Sequence, residues 1–573
     1  MGYSNQLPAN SSRSTLISLA LVIAVYATTL GLAEKRGFWI TDNANKFLQA
    51  RAFIENGYAD SALPWPGRIV DPELSFNPLP YYFTRVRDGE LYSIFPPFFA
   101  FASSLLFSLL GHWGLYILPS VASLLMLWGL AKIASLVDAR PAVAGTAVLL
   151  AGLCTPVWFY GVVFWEHSTA VCLCVWSIWF ALQFARHDGT RDLLFSFICA
   201  GLAVYFRDEL YLWFLLLVAW SLTEARRNRG RIPGISAVAG TVTLLPLWIF
   251  QWKVTGDPFG QHLSSHLSSA PGLLAHLADR PRVVYNLFLA TNPVPALSLL
   301  LTIPLVVGLV WQPALGAAAL QRFVPLVALG ALVGLGLSLG GYFVAESPID
   351  YMLRSSNMLF AAAPIAVLAC VRRAEVAEGG GPGRSIWRLA LGFALLYLLF
   401  APQLGSMGIH WGNRFLLLLY PLLALGAASN LVSWWEQRRP RVSASTLAVI
   451  ALIALSLGAQ LYSIGLLHER KSFSHRLNRE VGRMDEQIVI TNERWVPHSL
   501  HAHFYQRLIF YVAGPQQFSD LLDRLSETGY ESYLFVAPYS ARRAGEASAE
   551  VVDEGLGFFA VQLFVEDIAG AAE

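Results

Sequence analysis

The residues able to do chemistry are Asp42, Glu166, Arg207, Asp208, Glu209, His262, His266 and Arg414, which lie at the ends of long apolar runs or in the loops just beyond them. Ionisable side chains at membrane depth are costly and face a cavity or a partner by default. Asp42 sits in Phe38-Trp39-Ile40-Thr41-Asp42-Asn43, just past the first apolar run and at the head of a long polar-aromatic loop. A carboxylate held there is placed for chemistry on a lipid-borne substrate. The same residue can also serve only as the N-cap of a helix beginning at Asn43. Glu166 and Arg207 follow apolar runs directly, which suits a polar cavity, although outward turns also need polar caps. Arg207 has Asp208 and Glu209 as ready ion-pair partners, and Arg414 can snorkel to an interface. His262 and His266, at i and i+4, share a helix face and with Glu166 could ligate a divalent ion; a structural pair is the other reading. His498, His501 and His503 read as a solvated helix face.

The elements that must position these residues are set by composition. The chain of 573 residues is 55% hydrophobic and only 14% charged, against about 25% charged in soluble domains. A net charge of +2 gives no basis for nucleic-acid binding. The five cysteines all lie in apolar segments and read as small buried hydrophobes, not as disulfides or metal ligands. Apolar segments recur as about 13 transmembrane helices, the first a retained anchor at about residues 14–33. Residues 34–94 form a first outer loop rich in proline and aromatics, in which 43–56 read as an amphipathic helix with Phe47, Ala50 and Ile54 on one face. Whether 95–111 cross the membrane stays open. Residues 255–292 form a middle outer loop. If residues 95–111 do cross, Arg140 and Arg186/Arg191 move outside and 193–222 merge into one span. If they do not, arginine clusters at 140, 186/191, 226–231, 372–388 and 438–441 all lie in the cytoplasm, the scheme that fits the charge bias better. The opposite face then gathers Asp42, Glu166, Arg207, Asp208, His262, His266 and Arg414.

From residue 467 the composition becomes that of soluble protein. Strands at 487–491, 508–512, 532–536 and 557–565, with a helix at 516–528, predict a small α/β domain of accessory role on the outer side. The fold class is therefore an all-α polytopic membrane protein, residues 1–466, with a C-terminal α/β domain, 467–573.

Thr41-Asp42-Asn43, Phe95-Pro96-Pro97, the turn from Pro156 to Glu166, Arg207-Asp208-Glu209, Gly256-Asp257-Pro258-Phe259-Gly260 and Trp411-Gly412-Asn413-Arg414-Phe415, in this order, resemble the type C (GT-C fold) bacterial membrane glycosyltransferases. These are the relatives of protein O-mannosyltransferases and of the lipid A aminoarabinose transferase. The resemblance covers about residues 14–466. It implies an inverting transfer of a hexose or pentose from a polyprenyl-phosphate donor to a hydroxyl of an envelope lipid, glycan or protein. The transfer would occur at the outer face of the bacterial cytoplasmic membrane. It implies Asp42 as the general base, and Arg207 and Arg414 as the guanidinium partners of the donor phosphate. Many relatives carry two adjacent acids in the first loop, whereas Asn43 follows Asp42 here, which puts a first-loop metal site in doubt. The alternatives from other classes are a lipid or polysaccharide transporter, for which no pseudo-symmetric halves are visible, and a non-catalytic assembly scaffold.

Overall fold

The computed structural model describes residues 9–79, 83–225, 229–268, 273–284, 306–345, 347–373, 382–400, 409–437, 443–538, 550–553 and 560–568. Its contacts divide the chain into two units, Met1–Gly31 with Pro119–Ile464, and Leu32–Leu118 with Gly465–Glu573.

The first unit is helical, and its sequence explains why. Long runs of Leu, Ala and Val leave no backbone partner in lipid except the chain's own next turn, so such segments must be helices. Among the described residues of the whole chain, seven helices are long and apolar enough to cross a membrane, and Pro141–Leu153 and Leu210–Glu224 are shorter apolar helices. Two of the remaining expected spans differ for visible reasons. Residues 358–371 break at Pro364 into a short helix, Leu359–Ala362, and a 3-10 turn, Pro364–Cys370, because proline removes an intrahelical donor. Most of the expected span 293–311 lies outside the described residues. Small residues set the close approaches: a Cβ at Gly152 would lie 3.0 Å from Val22 and Leu127 side chains. The Tyr26 hydroxyl donates to the Gly152 carbonyl at 3.2 Å. Arg140 ties helix ends together, its Nη1 donating to Glu436 at 3.0 Å and its Nη2 to the Ser429 carbonyl at 3.0 Å. The cysteines are free, four of them buried and Cys199 partly so.

The second unit joins the first loop to the C-terminal segment. Its sheet has the order Leu508–Tyr511, Ile488–Thr491, Ser532–Pro538, Ala560–Asp567, Glu550–Asp553. The first three strands are parallel and the last two pair antiparallel. The Pro515–Ser526 helix supplies the crossover, burying Leu521, Leu522 and Leu525. The strand at 550–553 was not expected from sequence, and the last strand begins at Ala560. The hydrophobic core of this sheet includes Leu48, Leu63, Trp65, Leu74, Phe76 and Leu91 from the first loop. The Trp65 indole donates to the Ile509 carbonyl at 3.0 Å, and the Tyr511 amide donates to the Phe76 carbonyl at 3.2 Å. The C-terminal segment is thus completed by the loop and is not a free-standing appendage.

Candidate active site

Asp42 belongs to the second unit. The chain entering it is strapped to the long Ala444–Val481 helix. A Cβ at Gly37 would meet the Lys471 carbonyl at 1.8 Å, so only glycine fits. The Phe38 amide donates to Ser474 at 3.2 Å, and Arg470 Nε donates to the Trp39 carbonyl at 3.3 Å. The Thr41–Glu55 helix then begins with Ile40 as its N-cap. It is Asn43, not Asp42, whose amide oxygen accepts the Ile40 amide, at 3.3 Å. Asp42 lies in the first turn, half-buried, where the helix dipole favours a carboxylate. The helix differs from the amphipathic expectation. Residues 43–50, 52 and 53 are all buried, including Asn45, Lys46 and Gln49, because the Pro97–Leu110 and Val496–Ser499 helices pack against it.

Of the three histidines expected as a solvated face, His498 and His501 are inside and His503 is half-buried. His498 is 0% and His501 2% exposed. The Val496–Ser499 helix packs against Thr41–Glu55, and the His498 ring meets the Phe83 ring edge-on with centroids 4.4 Å apart. Burial drives the His498 pKa down to about 3, against a smaller upward pull from Asp42. Burial does the same to His501, whose Nε2 lies 2.9 Å from the Arg36 carbonyl oxygen. Sequence reading missed His498 because a histidine triplet in soluble composition carries no sign of what will cover it.

The remaining candidates belong to the first unit. The Thr190–Val204 helix stops, five residues follow, and Leu210–Glu224 starts. In that break Arg207 Nε donates to Glu209 Oε1 at 2.8 Å and its Nη1 to Glu166 Oε1 at 3.1 Å. Glu166 itself precedes the His167–His187 helix. Asp208 faces another way: its Oδ2 lies 2.8 Å from His262 Nδ1 on the Gln261–Ser268 helix. The expected grouping of Glu166 with His262 is therefore not formed, each having a different partner. The side chain of His266 lies outside the described residues. Among the described residues no three His, Cys, Asp or Glu side chains converge as a metal site.

Arg414 is delivered by a tight turn. Gly412 has φ +70° and a Cβ there would lie 2.5 Å from Pro156. Its amide donates to Ser356 at 2.9 Å, and the Asn413 amide donates to the Tyr420 hydroxyl at 3.0 Å. The Arg414 guanidinium rests over the Phe415 ring at 4.9 Å and the Trp165 ring at 5.3 Å. Arg207 lies over the same Phe415 at 5.5 Å, and Tyr397 stacks on Phe415 at 5.6 Å. Two guanidiniums thus share one aromatic platform, with Glu166 and Glu209 beside Arg207. Such a site offers cation and donor groups in a low-dielectric setting.

Comparison with known proteins fits this architecture. Residues 95–250, which contain Glu166, Arg207 and Asp208, match the family model of dolichyl-phosphate-mannose-protein mannosyltransferases. The chain is similar to the crystal structure of ArnT from Cupriavidus metallidurans bound to undecaprenyl phosphate, at TM-score 0.50 and 12% identity, over 96% of this chain and 97% of that one. The apo structure of the same protein matches at TM-score 0.50 and 14% identity with the same coverage. The archaeal oligosaccharyltransferase AglB from Archaeoglobus fulgidus is similar at TM-score 0.47 and 12% identity, over 90% of this chain and 69% of that one. No curated protein matches the sequence. The chain has the GT-C fold, and over residues 95–250 it is similar to the dolichyl-phosphate-mannose-protein mannosyltransferases.

Proposed function

We propose that this protein transfers a sugar from a polyprenyl-phosphate donor to a hydroxyl acceptor at the outer face of the cytoplasmic membrane. The match of residues 95–250 to the mannosyltransferase model is the observation that carries the reading. The undecaprenyl phosphate held by the similar ArnT supports a lipid phosphate as the leaving group. Asp42 serves as general base, removing the proton of the attacking hydroxyl as the bond from the anomeric carbon to the phosphate oxygen breaks. Attack opposite the leaving group inverts the anomeric centre. Arg414 takes the departing phosphate, guanidinium being suited to bidentate contact with it. Arg207 is already bridged to Glu166 and Glu209, so in its own unit it balances those carboxylates instead of supplying net positive charge.

Purified protein given synthetic polyprenyl-phosphate sugars tests this. Asp42→Asn keeps size and should melt like wild type, yet lose about a hundred- to ten-thousand-fold in transfer rate, the usual contribution of a general base. Full activity in Asp42→Asn would overturn the assignment and move the base to Glu166 or Asp208.

A further inference from the structure

The Thr41–Glu55 helix turns a polar stripe inward. Asp42, Asn45, Lys46 and Gln49 stand at i, i+3, i+4 and i+7, one face of a helix, over roughly 10 Å of its axis. Asn45 is 0% and Gln49 2% exposed. Each has spent half of its amide: Asn45 Oδ1 accepts the Ser93 hydroxyl at 2.7 Å, and Gln49 Nε2 donates to the Phe95 carbonyl at 3.1 Å. Among the described residues the other halves, Asn45 Nδ2 and Gln49 Oε1, have no hydrogen-bond partner, and neither do Nδ1 and Nε2 of the fully buried His498. The Phe83 ring lies 6.4 Å from that of Phe95 and 4.4 Å from that of His498. Asp42 is the half-buried end of the stripe and so its open side.

Buried polar groups are normally satisfied, and clustered exceptions call for an occupant. The unmet atoms define its chemistry. Asn45 offers a donor, Gln49 an acceptor, and a neutral imidazole one of each. A hydroxyl both donates and accepts, so a ligand carrying several hydroxyls meets all four atoms. An anion would face the Asp42 carboxylate and the Gln49 oxygen, with Lys46, which lies over the Phe95 ring at 3.6 Å, as the cation of the stripe, and a hydrocarbon chain would satisfy none of the unmet atoms. We propose that Asn45, Gln49 and His498 form a carbohydrate subsite beside Asp42, binding hydroxyls of the transferred sugar. This rests on the reading of the protein as a lipid-phosphate-sugar transferase. It gives the C-terminal segment a direct part in sugar recognition.

The test titrates full-length protein in lipid nanodiscs with bare polyprenyl phosphate and with a panel of polyprenyl-phosphate hexoses and pentoses. At least one sugar-bearing lipid should bind more tightly than the bare phosphate. For that lipid, His498→Phe and Asn45→Leu should each weaken binding at least ten-fold while the bare phosphate binds as before. His498→Gln, which keeps an amide donor and acceptor, should recover part of the loss. Unchanged sugar preference in these variants overturns the inference, and so does a wild-type protein that binds every sugar-bearing lipid no better than the bare phosphate. Should His498→Phe fail to fold, Asn45→Leu and Gln49→Leu decide the matter. Failure of the base assignment would show separately, as transfer retained in Asp42→Asn.

Discussion

A guanidinium gripped by two carboxylates is a poor landing place for a third anion, and this bears on Arg207. The side chains of Arg207, Glu166 and Glu209 are 11%, 4% and 8% exposed. Removing one partner of a buried ion pair leaves an uncompensated charge, at about 3–5 kcal/mol. Arg207→Met should therefore lower the melting temperature in detergent sharply, and adding Glu166→Gln and Glu209→Gln should restore most of it. Arg414→Ala should behave differently, weakening polyprenyl-phosphate binding with a smaller loss of stability. Equal stability losses in the two single variants would argue against this division. The positions of Glu166, Arg207 and Asp208 at helix breaks were legible because charge next to apolar runs has few other uses. Their pairing was not, since Arg207 reaches back 41 positions to Glu166 and no local pattern encodes that.

The Thr41–Glu55 helix shows the same limit at the scale of an element. Its existence was readable from the spacing of Phe47, Ala50 and Ile54. Its burial on every side was not, because the Val496–Ser499 turn that covers it lies some 450 positions away. That cover has a pH signature. His498 and His501 stay neutral when folded, their pKa values lowered to about 3 by burial, against about 6.5 when unfolded. Above pH 6.5 both states are neutral and nothing is lost. Below it the unfolded chain binds protons that the folded one refuses, so stability falls as pH drops from about 6.5 towards 3, by roughly 1 kcal/mol per pH unit for each histidine. Melting curves between pH 7.5 and 4.5 should show a shallower decline for His498→Phe/His501→Phe than for wild type. Parallel curves would mean that the rings protonate without unfolding.

At the scale of the whole chain, the membrane class was plain from composition and periodicity, as apolar runs in lipid allow only helices. The number of full spans was less plain, because hydropathy does not register where a proline such as Pro364 splits a run. The arginine bias predicts residue 229 inside and residue 530 outside. Cysteines placed at those positions should react with an impermeant thiol reagent in intact cells at 530 and not at 229; the reverse pattern would invert the scheme.

The core that joins Trp65 and Phe76 to Ile509 and Phe510 also sets an order of events at the ribosome. The first loop leaves the exit tunnel early, while its partner strands are several hundred codons away. At 5–20 residues per second the loop waits roughly 20 to 90 s with its tryptophan and leucines uncovered by those strands. A stop codon near position 465 would make the wait permanent, so a nonsense mutation late in the gene would be expressed as a defect in one of its earliest segments.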